Sequence, residues 1–221
     1  MAGYAWLLRL LLLLLAVGLG YAVLSLPDQA QGLQPDVLGK MDQSGVTHPV
    51  TAVLLNFRGY DTLLEMAVLL LALLGIWSLG GLPEARPESE PGPVLGTLTQ
   101  VLVPVLIVVA GYLLWTGAHA PGGAFQAGAV LGAAGVLLQL TGWRLPRRAA
   151  GHPLRITLVA GVAVFLIVAA LPLPGGRQLL EYDPNYAGVL ILVVEAFATV
   201  SIGVTLAALF FGADPTDKAP K

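Results

Sequence analysis

The sequence predicts an all-α integral membrane protein with about six transmembrane helices, two followed by four. Three observations support this fold class. The 221 residues are 57% hydrophobic and only 11% charged, with a mean hydropathy of +0.82, whereas about a quarter of the residues in soluble domains are charged. Six apolar runs approach or exceed the roughly 18 residues that a helix needs to cross a bilayer. An acidic, proline-rich stretch separates the second run from the third.

The six predicted spans are residues 4–26, 63–80, 98–115, 125–141, 154–171 and 187–211. A signal peptide is the alternative for the first span, which carries Arg9 near its start. Its uninterrupted apolar part, residues 10–26, exceeds the roughly 7–15 residues usual in a signal peptide, and no A-x-A cleavage motif follows it. We therefore expect this span to be retained as a transmembrane helix.

The segment GAHAPGGAFQAGA, residues 117–129, predicts a tight hairpin between the third and fourth spans. Pro121 lacks a backbone donor and disfavours a helical conformation in the residue before it, so a helix should end at residues 116–120. Gly122 and Gly123 adopt positive φ at no steric cost, which permits a turn of very few residues. His119 lies at the predicted tip, where it either titrates during transport or only forms hydrogen bonds.

Residues 50–80 form the second informative stretch of the sequence. A single helix over this range would be longer than a bilayer needs and would contain Arg58 and Asp61. We expect Gly59 to break it, leaving residues 51–57 as an interfacial or re-entrant segment. Arg58 and Asp61 would then lie at the membrane edge as a local ion pair.

Glu65 has two interpretations. Thr62-Leu-Leu-Glu65 matches a capping box, in which Thr62 begins the helix and the Glu65 carboxylate bonds back to the Thr62 amide. The alternative places Glu65 in an ion path, because it lies close to two other charged residues at one end of a span.

Glu195 is the most exceptional residue of the spans. It lies inside the last apolar run with no basic residue nearby in the sequence. A charge at the centre of a membrane helix costs about 2.5–3.5 kcal/mol on insertion scales, so it should face a partner, a cavity or a second polypeptide. Either it handles an ion or proton, or it only hydrogen-bonds across a helix interface. Thr199 and Ser201 lie close enough to add oxygens, although such hydroxyls usually bond their own backbone.

Loop charges predict the orientation. The loop between the fourth and fifth spans is rich in arginine and free of acids, which places it in the cytoplasm by the positive-inside rule. Counting six spans from that loop puts both termini in the cytoplasm of a multi-pass inner (plasma) membrane protein. The acidic linker, residues 81–93, is then cytoplasmic, and the His119 hairpin lies on the outer side.

Several functions are disfavoured by what the sequence lacks. The formal net charge of −2 gives no footprint for nucleic acid. Absence of cysteine removes disulfides and cysteine-ligated clusters, and no metal-ligand motif or phosphate-binding loop is present, so we expect no metal and no cofactor. The spans contain no lysine, whereas a complete proton-pumping antiporter core is expected to alternate lysines with acids.

Both informative stretches resemble known families. The sequence GAHAPGGAFQAG is similar to the G-H-x-x-P-G-G-G-F-x-x-G signature of the B subunit of Mrp-type Na⁺/H⁺ antiporters (MrpB/MnhB), with Ala124 in place of the third glycine. Residues 50–76 resemble the two-helix module at the end of the Mrp A subunit, which is a separate MbhE-like subunit in membrane-bound hydrogenases. The resemblance divides the chain into an MbhE-like module (residues 1–80), a linker (81–95) and an MrpB/MnhB-like four-helix domain (96–221).

The resemblance implies an accessory, non-catalytic subunit that forms a hetero-oligomer with other Mrp membrane subunits in the lipid bilayer, with Na⁺ and H⁺ as the transported ions. Glu65 and Glu195 would line the path, Arg58 and Asp61 would lie at its mouth, and the hairpin would be shaped by His119, Pro121, Gly122 and Gly123. Two alternatives stay open: the equivalent subunit of a membrane-bound hydrogenase or other complex I-related assembly, and a scaffold without ion contact.

Overall fold

The structure is a computed structural model that describes residues 5–26, 32–79, 92–143, 149 and 151–211. Residues 81–91 of the predicted linker and residues 144–148 of the arginine-rich loop lie outside these ranges. The described residues form helices, turns and loops, with no strand among them. Eight α-helices are present in these ranges: α1 (Ala5–Leu24), α2 (Gln34–Gly39), α3 (Pro49–Ala52), α4 (Gly59–Ser78), α5 (Pro93–Thr116), α6 (Ala124–Leu140), α7 (His152–Ala170) and α8 (Pro184–Phe211).

The prediction of an all-α, multi-pass membrane protein is confirmed. Four helices, α4, α5, α7 and α8, are long and apolar enough to cross a membrane. The other two predicted spans coincide with α6 and α1. The 17 residues of α6 extend about 26 Å, slightly less than the hydrocarbon thickness of about 30 Å, and the apolar part of α1, Arg9–Leu24, is similarly short.

Two compact units divide the chain, Met1–Asp36 and Val37–Lys221. The first contains α1, a 20-residue helix whose large apolar side chains, among them Trp6, Leu13 and Tyr21, are exposed. An apolar surface all around a helix is typical of a segment that faces lipid or another membrane helix.

The second unit is built around α8, which packs against α4, α6 and α7, while α5 packs against α6. Its core is formed by buried side chains from before and after the linker: Leu55, Met66, Phe165, Ile191, Val194, Ala198 and Ile202. The helix before the linker therefore shares its core with those after it. The assignment of residues 1–80, 81–95 and 96–221 to separate modules stays a prediction.

Small residues bring α6 and α8 close together. A β-carbon placed on Gly128 would lie 2.8 Å from Ile202 Cγ2 and 3.1 Å from the Thr199 carbonyl oxygen. On the opposite helix, a β-carbon on Gly203 would lie 3.1 Å from the Gly128 carbonyl oxygen. This contact fixes the distance between the two helices, because neither backbone leaves room for a side chain.

The helix break before α4 is confirmed, but the capping box is wrong. The chain runs through α3 and a π-helical turn, Val53–Phe57, into Arg58, whose φ of −127° and ψ of 33° interrupt the helix before Gly59. Because α4 begins at Gly59, Thr62 already lies within the first turn of the helix. It therefore does not occupy the N-cap position, which a capping box requires. Its hydroxyl instead donates to the Leu54 carbonyl oxygen at 2.6 Å.

We expect Gly128→Ala to destabilise the protein, because the added methyl would overlap Ile202 and the α8 backbone. Overpacking of this kind typically costs about 1–3 kcal/mol. The matched control is Gly111→Ala on α5, where nothing lies within 4 Å of the added carbon. Thermal unfolding in detergent, followed by size-exclusion chromatography, should show a lowered midpoint for the first variant only. Equal midpoints would contradict the close α6–α8 contact.

Candidate functional site

The hairpin between α5 and α6 forms where the sequence predicts it. α5 ends at Thr116 and α6 begins at Ala124. The Gly123 amide donates to the Leu113 carbonyl oxygen at 2.9 Å, which folds the turn back onto the end of α5. Gly123 has a φ of +106°, and a β-carbon on Gly117 would lie 2.7 Å from the Gly123 Cα. The turn therefore depends on glycine both for its backbone conformation and for its close approach to α5.

Residues 47–51, which lead into and begin α3, hold the tip of this hairpin. The backbone amides of Thr47 and His48 each donate to the Ala118 carbonyl oxygen at 3.1 Å. The Thr51 hydroxyl donates to the carbonyl oxygen of Gly117, and this contact is buried. The segment before α4 thus satisfies carbonyl groups that the end of α5 would otherwise leave without partners.

Two histidines lie at this contact. His119 is exposed, and its Nδ1 atom lies 3.0 Å from the Thr47 hydroxyl. The hairpin tip is therefore hydrogen-bonded, and a role of His119 in transport stays a prediction. His48 was not singled out from the sequence. Its Nδ1 atom is buried and has no hydrogen-bond partner among the described residues. The one sequence signal is Pro49, directly after it, because proline is common at the first position of a helix.

Glu195 lies against the same hairpin. Its side chain is buried, with 3% of the residue exposed. The backbone amide of Ala124, the first residue of α6, donates a hydrogen bond to the carboxylate. A β-carbon on Gly123 would lie 2.7 Å from Glu195 Oε1. The acid on α8 therefore caps the amino-terminal end of α6, where free amides and the helix dipole favour negative charge.

The second carboxylate oxygen of Glu195 has a different environment. Oε2 is buried and has no hydrogen-bond partner within the described part of the chain. The nearby hydroxyls are engaged elsewhere: Thr199 donates to the Glu195 carbonyl oxygen at 2.7 Å, and Ser201 donates to the Leu158 carbonyl oxygen at 2.6 Å. A buried, unpartnered carboxylate oxygen is the position at which a proton, a water molecule or a cation would bind.

The charged residues at the start of α4 form a separate group. Arg58 and Asp61 make the predicted ion pair, with 61% and 46% of their side chains exposed. Glu65 is also exposed. Among the described residues, no hydrogen bond or ion pair joins Glu65 to Glu195, so the structure brings Glu195 to the hairpin and leaves the α4 group apart.

The loop before α8 holds residues that sequence analysis did not single out. The Asp183 carboxylate accepts from the Asn185 amide at 3.0 Å and from Arg177 at 3.1 Å. The Asn185 amide, and then Arg177, hold the pKa of Asp183 below its usual range. This cap of α8 therefore stays ionised at neutral pH, and its stabilisation is lost only when the pH falls through the lowered pKa. Burial raises the pKa of the neighbouring Tyr182 to about 12.

We expect Gly123→Ala to destabilise the protein through two effects, the positive φ and the contact with Glu195. Gly142→Ala measures the effect of the positive φ alone, because Gly142 has a φ of +81° with nothing within 4 Å of the added carbon. A double-mutant cycle between Gly123→Ala and Glu195→Ala should show a coupling of about 0.5–3 kcal/mol in unfolding free energy, since the shorter side chain removes the overlap. Additive effects would mean that Glu195 does not touch the turn.

These features define the class of this molecule. It is a multi-pass helical membrane protein in which a buried acid caps the helix that follows a glycine hairpin. Residues 94–213 match the MnhB family, described as a domain related to the MnhB subunit of the Na⁺/H⁺ antiporter. The match covers more than half of the chain, and the chain belongs to this family.

Similar proteins agree with this assignment. The chain is 28% identical over 186 residues to a probable K⁺/H⁺ antiporter A/B subunit of Rhizobium meliloti (strain 1021), an alignment that covers 66% of this chain and 18% of that protein. The chain thus spans about a fifth of the length of this relative.

Two solved structures share the fold. One is a chain of the membrane-bound sulfane sulfur reductase, an archaeal respiratory membrane complex, with a TM-score of 0.66, 23% identity and coverage of 93% of this chain and 96% of that one. The other is a chain of the Mrp complex from Dietzia sp. DQ12-45-1b, with a TM-score of 0.65, 21% identity and coverage of 100% of this chain and 27% of that one.

Proposed function

We propose that this chain is an accessory, non-catalytic subunit of a multi-subunit Mrp-type antiporter that exchanges a monovalent cation for protons. Membership of the MnhB family supports the class of complex. The family description names Na⁺, and the relative from Rhizobium meliloti is named for K⁺. Both cations therefore belong in any test.

The observation that carries this proposal is the environment of Glu195. A carboxylate buried in a membrane helix, with one oxygen held by the Ala124 amide and the other without a partner among the described residues, has a free position for a proton or cation. The hairpin amide orients the side chain, so the free oxygen keeps one direction. We propose that Glu195 lies on the ion path, with Glu65 further along it and Arg58 and Asp61 at its mouth. His119, together with Pro121, Gly122 and Gly123, shapes the hairpin.

A second candidate assembly follows from the fold similarity to the sulfane sulfur reductase, since almost the whole of that chain is covered. In a respiratory complex of that kind, or in a membrane-bound hydrogenase, redox chemistry in other subunits would drive the same ion path. Purifying the complex in mild detergent and identifying its subunits by mass spectrometry distinguishes the two assemblies. Iron–sulfur subunits in the purified complex would favour the redox-driven assembly.

The domain organisation and orientation are part of the proposal. Residues 1–80 would be an MbhE-like module joined by a cytoplasmic linker to the MnhB-like domain, with both termini in the cytoplasm. The Rhizobium relative is named as an A/B subunit, which agrees with two subunit types joined in one chain. Reporter fusions at each terminus would test the orientation.

We expect Glu195→Gln to lower antiport at least tenfold while the complex still assembles, because the amide keeps the size of the carboxyl group and loses its charge and its proton. The measurement is the dissipation of a proton gradient in everted vesicles containing the whole complex, on addition of NaCl or KCl. Asp42→Asn, at an exposed acid outside the spans, is the matched control and should transport at the parental rate.

The same transport measurement should be made on Glu65→Gln. If Glu195→Gln and Glu65→Gln both assemble and transport like the parent, the chain is a scaffold without ion contact and the proposal is wrong.

A further inference from the structure

One face of α4 combines an acid with exposed apolar side chains. Leu64, Val68 and Leu71 are 63%, 62% and 64% exposed, and Glu65 lies exposed among them. We call the surface formed by these four residues the Glu65 face. The opposite side of α4 packs into the core through Met66 and Leu73, so the Glu65 face is an outer surface of the second compact unit.

Glu65 lies in the first half of α4, a helix long and apolar enough to cross a membrane. It follows Gly59, the first residue of α4, by six positions, which corresponds to about 9 Å along the axis of a 20-residue helix. Its carboxylate has no hydrogen bond or ion pair with any described residue. Its neighbours on the helix surface are the exposed Leu64 and Val68, together with Asp61 one turn earlier, which is paired with Arg58. A carboxylate in such a position is expected to face a partner or a water-filled cavity rather than lipid.

The described basic residues of this chain leave Glu65 without a counter-ion. Arg58 is paired with Asp61, and Arg177 is paired with Asp183. The other described basic residues are Lys40, directly after α2, and Arg9 and Arg155, near the starts of α1 and α7. Within the described part of the chain, no ion pair joins any of these three side chains to Glu65.

We infer that the Glu65 face binds a transmembrane helix of a different subunit, and that this helix brings a lysine or arginine to the Glu65 carboxylate. Charge complementarity selects this occupant. In a two-fold dimer of this chain the same face would meet itself, which places acid against acid. The inference deepens the proposed function, on which it rests, by naming the chemistry of the neighbour that completes the ion path.

The first experiment locates the occupant with Glu65 intact. A photo-cross-linking amino acid is placed at Leu64 or at Val68 in the complex, co-expressed with all its subunits, and the cross-linked peptides are identified by mass spectrometry. We expect one helix of a different subunit, with a lysine or arginine within one turn of the cross-linked residue. Cross-links only to lipid, only to a second copy, or to a helix without a basic residue would overturn the inference.

The second experiment tests the charge pairing. Glu65→Lys should reduce the amount of the cross-linked subunit that co-purifies, by a factor of at least five. Changing the basic residue of that subunit to glutamate should restore co-purification to within twofold of the parent. Asp42→Lys is the matched control and should have no effect. Absence of rescue would overturn the charge pairing.

The two proposals fail separately. A complex that exchanges cations for protons but cross-links to an uncharged helix contradicts only the inference about the Glu65 face. A complex with the expected basic helix but no cation-dependent proton exchange contradicts only the proposed function.

Discussion

The contact between the Glu195 carboxylate and the amino-terminal end of α6 is the interaction on which the rest of the structure depends. An acid in the middle of an apolar helix is costly unless polar groups replace the water it has lost. The free amides at the start of a helix are such groups, and they need acceptors themselves. Glu195 and Ala124 therefore each satisfy a requirement of the other, and this places α8 against the hairpin.

Other contacts follow from this one. The turn brings Gly123 against the carboxylate, which leaves no room for a side chain. Farther along α6 and α8, glycines keep the two helices close. At the tip of the hairpin, residues 47–51 donate hydrogen bonds to the carbonyl groups that follow α5. The segment before α4 is therefore attached to the same hairpin. The acid, the turn and the α4 segment thus form one continuous unit.

Much of the fold could be predicted from the sequence because the membrane imposes strong local constraints. The six apolar runs coincide with helices, and proline and glycine mark the hairpin from Thr116 to Ala124. The ion pair of Arg58 and Asp61 follows from their spacing on one turn. These features depend on neighbours in the sequence, which is why they can be recognised in it.

Other features could not be predicted because they depend on contacts between distant residues. Nothing in the sequence around Glu195 indicates that its partner is the amide of Ala124. Thr62 and Glu65 match a capping box, yet the helix already begins at Gly59, so the same residues have other roles. Leu180, which has a φ of +67° and packs against Gly59, carries no sequence signal of that conformation.

The distribution of acids also separates two roles within one chain. Glu195 is satisfied in part by the chain's own backbone, whereas Glu65 faces outward with no partner among the described residues. An internal acid can be oriented by its own chain, and an external acid in a membrane helix is expected to face a partner or a water-filled cavity. Under the proposed function, Glu195 would be oriented by this chain alone, whereas Glu65 would be completed by a neighbouring subunit.

The central claim is tested most directly by a cryo-EM map of the assembled complex that resolves the side chains of α8 and the hairpin. We predict density for the Glu195 carboxylate within hydrogen-bonding distance of the Ala124 amide, with its second oxygen facing a water molecule, an ion or a polar group. A map in which Glu195 points to lipid, or in which another group caps the amino-terminal end of α6, would contradict the account.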